Sequence, residues 1–284
     1  MTHRHSRLPA LCALVLGAVV FLFAQAAPAR AADRERIETF LEITGFDVAL
    51  EGIAHSAESA PDMLGIDPEQ FGADWRRLSR EVFDQQDMHD MAVEILSATL
   101  DDEMLDHAVD FYESDLGRRL VEVENAAHSD PDNESQQESG ADILAKLSES
   151  GQGDRLALFD RMIAAIDSTG AGLRAVQEIQ IRFLLTASAS GVVQLRMDEQ
   201  GLRALLQEQE GELIKALRES GLANSAHVYR DFSDAEVTAY VEALEHPLMQ
   251  KVYELLNAVQ TEITANRFEV LAVRMADLHP GQDI

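Results

Sequence analysis

Residues 100–126 recur in residues 232–258 at a constant offset of 132 positions, and this repeat constrains the fold more than any other feature of the chain. Identical residues occupy the aligned positions Asp102/Asp234, Val109/Val241, Glu113/Glu245, Leu116/Leu248, Glu122/Glu254, Asn125/Asn257 and Ala126/Ala258. Self-similarity at one fixed offset indicates a duplicated structural unit. The sequence therefore predicts two copies of one module.

Each copy has the pattern of two helices joined by a sharp corner. The first copy begins with apolar residues at spacings of three and four, namely Leu105, Ala108, Val109 and Tyr112. Such spacing predicts a helix with one buried face. Ser114 is placed to cap the next helix, and Gly117, which has no Cβ, permits a close approach of the neighbouring helix. In the second copy Pro247 takes a first-turn position, where its missing amide hydrogen costs no hydrogen bond.

The first corner, Phe111-Tyr-Glu-Ser-Asp-Leu-Gly-Arg-Arg-Leu120, resembles the signature of the domain-of-unknown-function family 2059. That family has an aromatic-x-Ser-Pro-x-Gly-(Arg/Lys) corner after an acidic helix. The resemblance covers roughly residues 86–127, with a weaker second match near residues 222–260. Three positions depart from the signature: Asp115 for Pro in the first copy, and His246 for Ser and Met249 for Gly in the second. The resemblance implies an all-helical bacterial exported protein and no activity, because the family has no assigned chemistry.

The N-terminus has the pattern of a secretory signal peptide. A basic start precedes residues 8–27, which are almost wholly apolar, and Ala29-Arg30-Ala31 supplies a small-x-small cleavage site. We predict a signal peptide over residues 1–31 and a periplasmic or secreted protein after cleavage near Ala31, without stable membrane insertion. The alternative is an uncleaved anchor, since an apolar run of this length could span a bilayer.

Composition excludes several classes of function. The only cysteine, Cys12, lies within the predicted signal peptide, so the mature chain would have no disulfide and no cysteine-based catalytic or metal site. The chain has 51 acidic and 23 basic residues and a net charge of −28 at pH 7, which disfavours nucleic acid as a partner through repulsion. We favour a solvated surface that keeps an exported protein soluble. A basic partner or a divalent-cation buffer is the alternative.

Helical periodicity runs through the chain after the signal peptide, and no alternating strand pattern occurs. We predict an all-α fold, an antiparallel helical bundle built from the duplicated helix–corner–helix module. The predicted organisation is helical module 1 over residues 32–127, an acidic linker over residues 128–139 and helical module 2 over residues 140–284, with both modules in one compact domain. The linker is predicted from its polar composition. Helical patterns over residues 197–220 and 222–230 predict a break near Gly221.

Residues 178–191 form the most unusual segment. They are nearly apolar all round, yet Glu178 and Arg182 are spaced i,i+4 on one face, with Gln180 nearby. One interpretation is a ligand-binding pocket in which Arg182 binds an anionic group and Glu178 positions it. The interpretation that we favour is an internal ion pair that fixes the helix register.

Weaker candidates lie on the acidic face of the first copy. Glu103 and His107 are one turn apart and could bind a metal or act in acid–base chemistry. They lack the two-histidine spacing of a strong zinc motif, and the second copy does not reproduce them, so a solvated helix face is favoured. The same holds for Glu124 with His128. No phosphate loop, nucleophile elbow or His-Glu-x-x-His motif occurs, and we predict no catalytic residue and no cofactor.

These observations favour an exported, non-enzymatic, all-helical protein that binds a protein or a small ligand through a groove between its repeats. One alternative is a periplasmic hydrolase or metal-dependent enzyme of unrecognised type. Another is a structural or assembly factor of the envelope. Convergence of Glu178, Arg182 and the acidic face on one concave pocket would favour binding or catalysis, and dispersal would favour the structural role.

Overall fold

The computed structural model describes residues 34–56, 60, 64, 72–130 and 132–278. These residues form helices and contain no β-strand, which confirms the all-α fold class. The helices are α1 (Arg34–Thr44), α2 (Phe46–Ser56), α3 (Gly72–Val82), α4 (Gln85–Thr99), α5 (Asp102–Tyr112), α6 (Asp115–Ser129), α7 (Asn133–Glu149), α8 (Gly153–Ile166), α9 (Ala171–Ala189), α10 (Glu199–Glu208), α11 (Glu210–Val228), α12 (Asp234–Leu244) and α13 (Pro247–Leu278). None of these described helices is both long enough and apolar enough to cross a membrane. The predicted signal peptide lies outside the described residues.

The longest helix, α13, organises the rest of the structure. Its 32 residues span about 48 Å. Buried side chains follow one another along its whole length, from Met249 to Met275. Helices α3, α4, α5, α8, α9 and α12 pack around it. A helix that is apolar on many sides must be covered on many sides, and this requirement places α13 at the centre.

Two halves of the chain, α1–α6 and α8–α13, pair their helices in the same way. In the first half α1 packs on α4 and α5, and α2 packs on α6; in the second half α8 packs on α11 and α12, and α9 packs on α13. The bounds of α5 and α12 and the starts of α6 and α13 coincide at the offset of 132 residues. Arg36 pairs with Asp102, and Arg155 pairs with the aligned Asp234. The correspondence thus covers five helices in each half, and a common origin of the halves stays a prediction.

The linker predicted over residues 128–139 is wrong in its second part. The structure begins α7 at Asn133, capped by the side chain of Asp132. This helix packs along α11 so closely that a Cβ on Gly140 would lie 2.9 Å from the Cα of Ala223. Small and polar residues make that contact. The start of α7 therefore has no apolar stripe from which the sequence could have predicted a helix.

The break predicted near Gly221 lies elsewhere. The helix is interrupted at Gln209, between α10 and α11, and α11 then runs through Gly221 to Val228. A Cβ on Gly221 would lie 3.2 Å from Cδ1 of Ile163 in α8. The glycine therefore permits a contact between helices and does not end one.

The first corner depends on a glycine in contact with backbone. Ser114 Oγ accepts a hydrogen bond from the Gly117 amide at 3.0 Å, and Ser114 caps α6. A Cβ on Gly117 would lie 2.6 Å from the Cα of Tyr112 and 2.8 Å from its carbonyl oxygen. In the second corner Pro247 opens α13, and the position aligned with Gly117 is the buried Met249. The two corners thus share helix bounds but differ in packing.

We expect Gly117→Ala to lower the free energy of unfolding by about 1–3 kcal/mol, because its methyl group would overlap main-chain atoms of α5 that cannot rotate away. The matched control is Gly52→Ala in α2, where an added Cβ meets no atom within 4 Å. Helix propensity favours alanine there by up to about 1 kcal/mol. Urea unfolding followed by circular dichroism measures both variants. A Gly117→Ala protein as stable as the wild type would contradict the close contact.

Candidate functional site

A cavity of about 1030 Å³ lies between α2 and α6 of the first half and α9 and α13 of the second. Polar residues of α13 line it at spacings of three and four, namely Tyr253, Asn257, Thr261 and Thr264. The hydroxyl of Thr261 donates to the Asn257 carbonyl of its own helix at 2.7 Å. The Thr264 hydroxyl likewise donates to the Gln260 carbonyl at 2.7 Å, whereas the Asn257 side chain donates to the Ile166 carbonyl at the end of α8 at 2.9 Å. The volume is close to the upper end of the range of about 300–1,000 Å³ for small-molecule sites.

Four tyrosines meet a glutamate on the wall of this cavity, and they are all the tyrosines of the chain. Tyr229 and Tyr240 donate to Oε1 of Glu124 at 2.7 and 3.0 Å. The hydroxyl of Tyr240 lies 3.3 Å from that of Tyr253, which is hydrogen-bonded in turn to Tyr112. Each phenol has one proton to donate. When the carboxylate of Glu124 is ionised, Tyr240 donates to it, Tyr253 therefore donates to Tyr240, and Tyr112 donates to Tyr253. We call the space in front of this cluster the Glu124 cavity.

The solvated helix face predicted for Glu124 is wrong. Glu124 follows Leu120 by four residues and Val121 by three, and both are buried. Helical spacing therefore puts its carboxylate on the buried face of α6. A carboxylate within an apolar stripe was the signal in the sequence for this site. The tyrosines that approach it from α11, α12 and α13 are distant in sequence, and no local pattern connects them with α6.

The cluster has unusual electrostatics. Burial raises the pKa of Glu124 to about 7, although the hydrogen bonds from Tyr229 and Tyr240 oppose the shift. Burial also raises the pKa of Tyr253 to about 12, and it raises the pKa values of the other three tyrosines well above the ordinary value. The pKa of the His128 imidazole, which also lines the cavity, is lowered by burial. At neutral pH the carboxyl of Glu124 therefore exchanges between both protonation states beside neutral donors.

The internal pair predicted between Glu178 and Arg182 does not form. Arg182 instead donates to Glu262 at 2.8 Å and to Glu269 at 2.5 Å, both on α13. These two carboxylates raise the pKa of Arg182 above its usual range. Glu178 pairs with Arg203 of α10 at 3.1 Å. Side chains on neighbouring helices have taken the place of the i,i+4 contact.

The other candidate residues do not converge on one pocket, and this dispersal favours a structural role for them. Glu178 lines the Glu124 cavity, whereas Arg182 and Gln180 are not among its described lining residues. Glu103 is exposed on α5, and the His107 ring stacks on that of His246 with centroids 4.1 Å apart. Within the described ranges, no group of three or more His, Cys, Asp and Glu residues is arranged to hold a metal ion.

Residues 86–146 match the model of a family described as an uncharacterized protein conserved in bacteria, DUF2059. The resemblance inferred from the corner is confirmed. The DUF2059 segment takes in α4, α5, α6 and most of α7, about a fifth of the chain. It contains Gly117, Tyr112 and Glu124, but not the other three tyrosines. No similar curated protein and no similar solved structure was found.

We expect Glu124→Gln, which copies the protonated acid, to change how stability depends on pH. The pKa of about 7 in the folded state exceeds the ordinary 4.5. The folded wild type therefore binds more protons than the unfolded chain between these values, and its stability falls as pH rises. The variant should be about 1–3 kcal/mol more stable than the wild type at pH 8 and nearly equal to it at pH 5. Urea unfolding at both pH values tests this, and the same stability difference at pH 5 and pH 8 would contradict it.

Proposed function

We propose that the protein is an exported, non-enzymatic binding protein that holds a small ligand in the Glu124 cavity. The observation that carries this proposal is a cavity between the two halves with a half-buried carboxylate and four tyrosine hydroxyls on one wall. Small-molecule sites combine mostly apolar walls with a few polar groups placed to orient the ligand. The apolar part of this wall includes Ile53, Val176, Ile179, Val228 and Leu256.

The four tyrosines of the cluster are suited to binding a ligand. The tyrosine hydroxyls have raised pKa values, so at neutral pH they donate hydrogen bonds and do not act as bases. They hold one oxygen of Glu124 in a fixed direction. A fixed polar group with neutral neighbours is suited to orienting a ligand.

Export is part of the proposal and is supported by the sequence. The apolar run of residues 8–27 is followed by the small-x-small site at Ala29-Arg30-Ala31. The only cysteine precedes this site. The acidic composition suits a protein that remains soluble after export.

When the full chain is expressed in a bacterium with a secretory pathway, we expect the exported protein to begin at Ala32. The signal peptidase should cut after Ala31, because the small residues there fit its site. Intact-mass spectrometry of the periplasmic fraction gives the result. A full-length chain retained in the membrane fraction would contradict export by a cleaved signal peptide.

We expect Ala175→Trp to abolish ligand binding, because Ala175 lines the cavity from α9 and an indole there would occupy the space. The matched control is Ala145→Trp on the exposed side of α7, outside the cavity lining. Native mass spectrometry of protein purified from the exported fraction should show a small-molecule adduct in the wild type and in Ala145→Trp, and none in Ala175→Trp.

Circular dichroism and the melting temperature establish that both tryptophan variants fold. An adduct that persists in folded Ala175→Trp, or a wild type without an adduct, would contradict binding in this cavity.

A further inference from the structure

The hydrogen bonding of Glu124 is incomplete. Both tyrosine donors use Oε1, and among the described residues Oε2 has no donor. Oε2 is also not a fully buried atom: in the part of the chain that the structure describes, Ser97 Oγ is the one fully buried side-chain polar atom without a partner. Oε2 of Glu124 therefore lacks a donor but is not fully buried, and Glu124 lines the cavity. A ligand atom that donates a hydrogen bond fits this oxygen.

Glu124 also has no cationic partner. No Lys, Arg or His of the described ranges forms a salt bridge with it, whereas Glu262 and Glu178 on the same wall pair with Arg182 and Arg203. Asp167 accepts from the amides of Ala171 and Gly172 at 2.7 and 3.0 Å, and Glu178 pairs with Arg203. A buried carboxylate without a counter-charge is destabilised when it ionises. A cation brought by the ligand would remove this cost.

The net charge of the cavity wall also favours a cationic ligand. Five carboxylates line the cavity, namely Glu124, Asp167, Glu178, Glu254 and Glu262, against one guanidinium, that of Arg174. Arg174 is exposed and donates to the Thr169 carbonyl at 3.3 Å. Arg182 and Arg203 neutralise Glu262 and Glu178 from outside the lining, and the remaining excess of carboxylates repels anionic ligands and attracts cations.

A metal ion is a poor match for this site. A metal needs several ligand atoms around one point, and the described residues hold no group of three or more His, Cys, Asp and Glu so arranged. The wall near Glu124 also carries Val228 and Leu256. An ion would leave this apolar surface uncovered, whereas an organic molecule would bury it.

We propose that the Glu124 cavity binds an organic cation, with an ammonium or guanidinium group donating to Oε2 of Glu124 and an apolar body lying along α9 and α13. This inference rests on the proposed binding function and names the class of ligand. The tyrosines hold the carboxylate in place, so the cation meets an acceptor whose direction is already fixed.

Binding of a cation would expel a proton. The cation favours the ionised form of Glu124, whose pKa without ligand is about 7. The four tyrosines that face Glu124 stay protonated because of their raised pKa values, and the lowered pKa of His128 leaves it mostly neutral. At pH 7 the release should therefore be about half a proton per ligand, and it should come from Glu124.

Calorimetric titration with three probes of one shape tests the inference: 4-phenylbutylammonium, neutral 4-phenyl-1-butanol and anionic 4-phenylbutyrate. The ammonium probe should bind at least about tenfold more tightly than the alcohol, as expected for a charge-assisted hydrogen bond. Titrations in two buffers of different ionisation enthalpy should show the proton release. The Glu124→Gln protein should lose the preference for the ammonium and the release, but keep its affinity for the alcohol.

Glu122→Gln is the matched control, because Glu122 is an exposed carboxylate on the same helix as Glu124 and lies outside the cavity lining. It should retain the preference and the proton release. Equal binding of the ammonium probe and the alcohol, unchanged binding of the ammonium by Glu124→Gln, or no binding of the ammonium would overturn the inference. If the alcohol or the carboxylate probe binds to the wild type but not to Ala175→Trp, the proposed binding function stands even though the inference of a cation fails. If no probe binds, both fail.

Discussion

Helix α13 must bury apolar side chains along its whole length, and the rest of the fold follows from this constraint. Six helices from both halves cover it. The polar stripe of α13 from Tyr253 to Thr264 lines the cavity. Burial of apolar surface is the main favourable contribution to folding, so a polar stripe provides no reason for another helix to fill the cavity. The same helix thus provides the centre of the core and one wall of the site.

The two halves have matching helices, but the site does not repeat. At the offset of 132 residues, Tyr229, Tyr240 and Tyr253 align with Ser97, Ala108 and Val121. The first half contributes the carboxylate of Glu124, and the second half contributes three of the four phenols around it. The aligned asparagines Asn125 and Asn257 both line the cavity. The cluster around Glu124 therefore takes side chains from both halves, whose common origin stays a prediction.

Sequence patterns predicted the local features well. Most helix bounds follow from apolar periodicity, and the resemblance at the first corner was confirmed by the match to DUF2059. The predicted linker over residues 128–139 was partly wrong because α7 packs through Gly140 and other small residues, which periodicity does not register. Local spacing fixes which residues share a helix face, but not which helix lies opposite.

The candidate site shows where that limit matters. Glu178 and Arg182 share a face of α9, but each pairs with a side chain from another helix. Glu178 pairs with Arg203, and Arg182 pairs with Glu262 and Glu269. The sequence could show that Glu124 lies in an apolar stripe. It could not show that tyrosines more than 100 residues away would meet its carboxylate. Contacts between distant helices decide the chemistry of this site.

Glu124 is a half-buried carboxylate with neutral donors and no counter-cation among the described residues. Carbon-13 NMR of the side-chain carboxyl groups, assigned by comparison with Glu124→Gln, measures its titration directly in the folded protein. We predict an apparent pKa of about 7 for Glu124 without ligand. A titration near the ordinary value of 4.5 would show that the carboxylate is solvated or paired, and would contradict the account of the cavity.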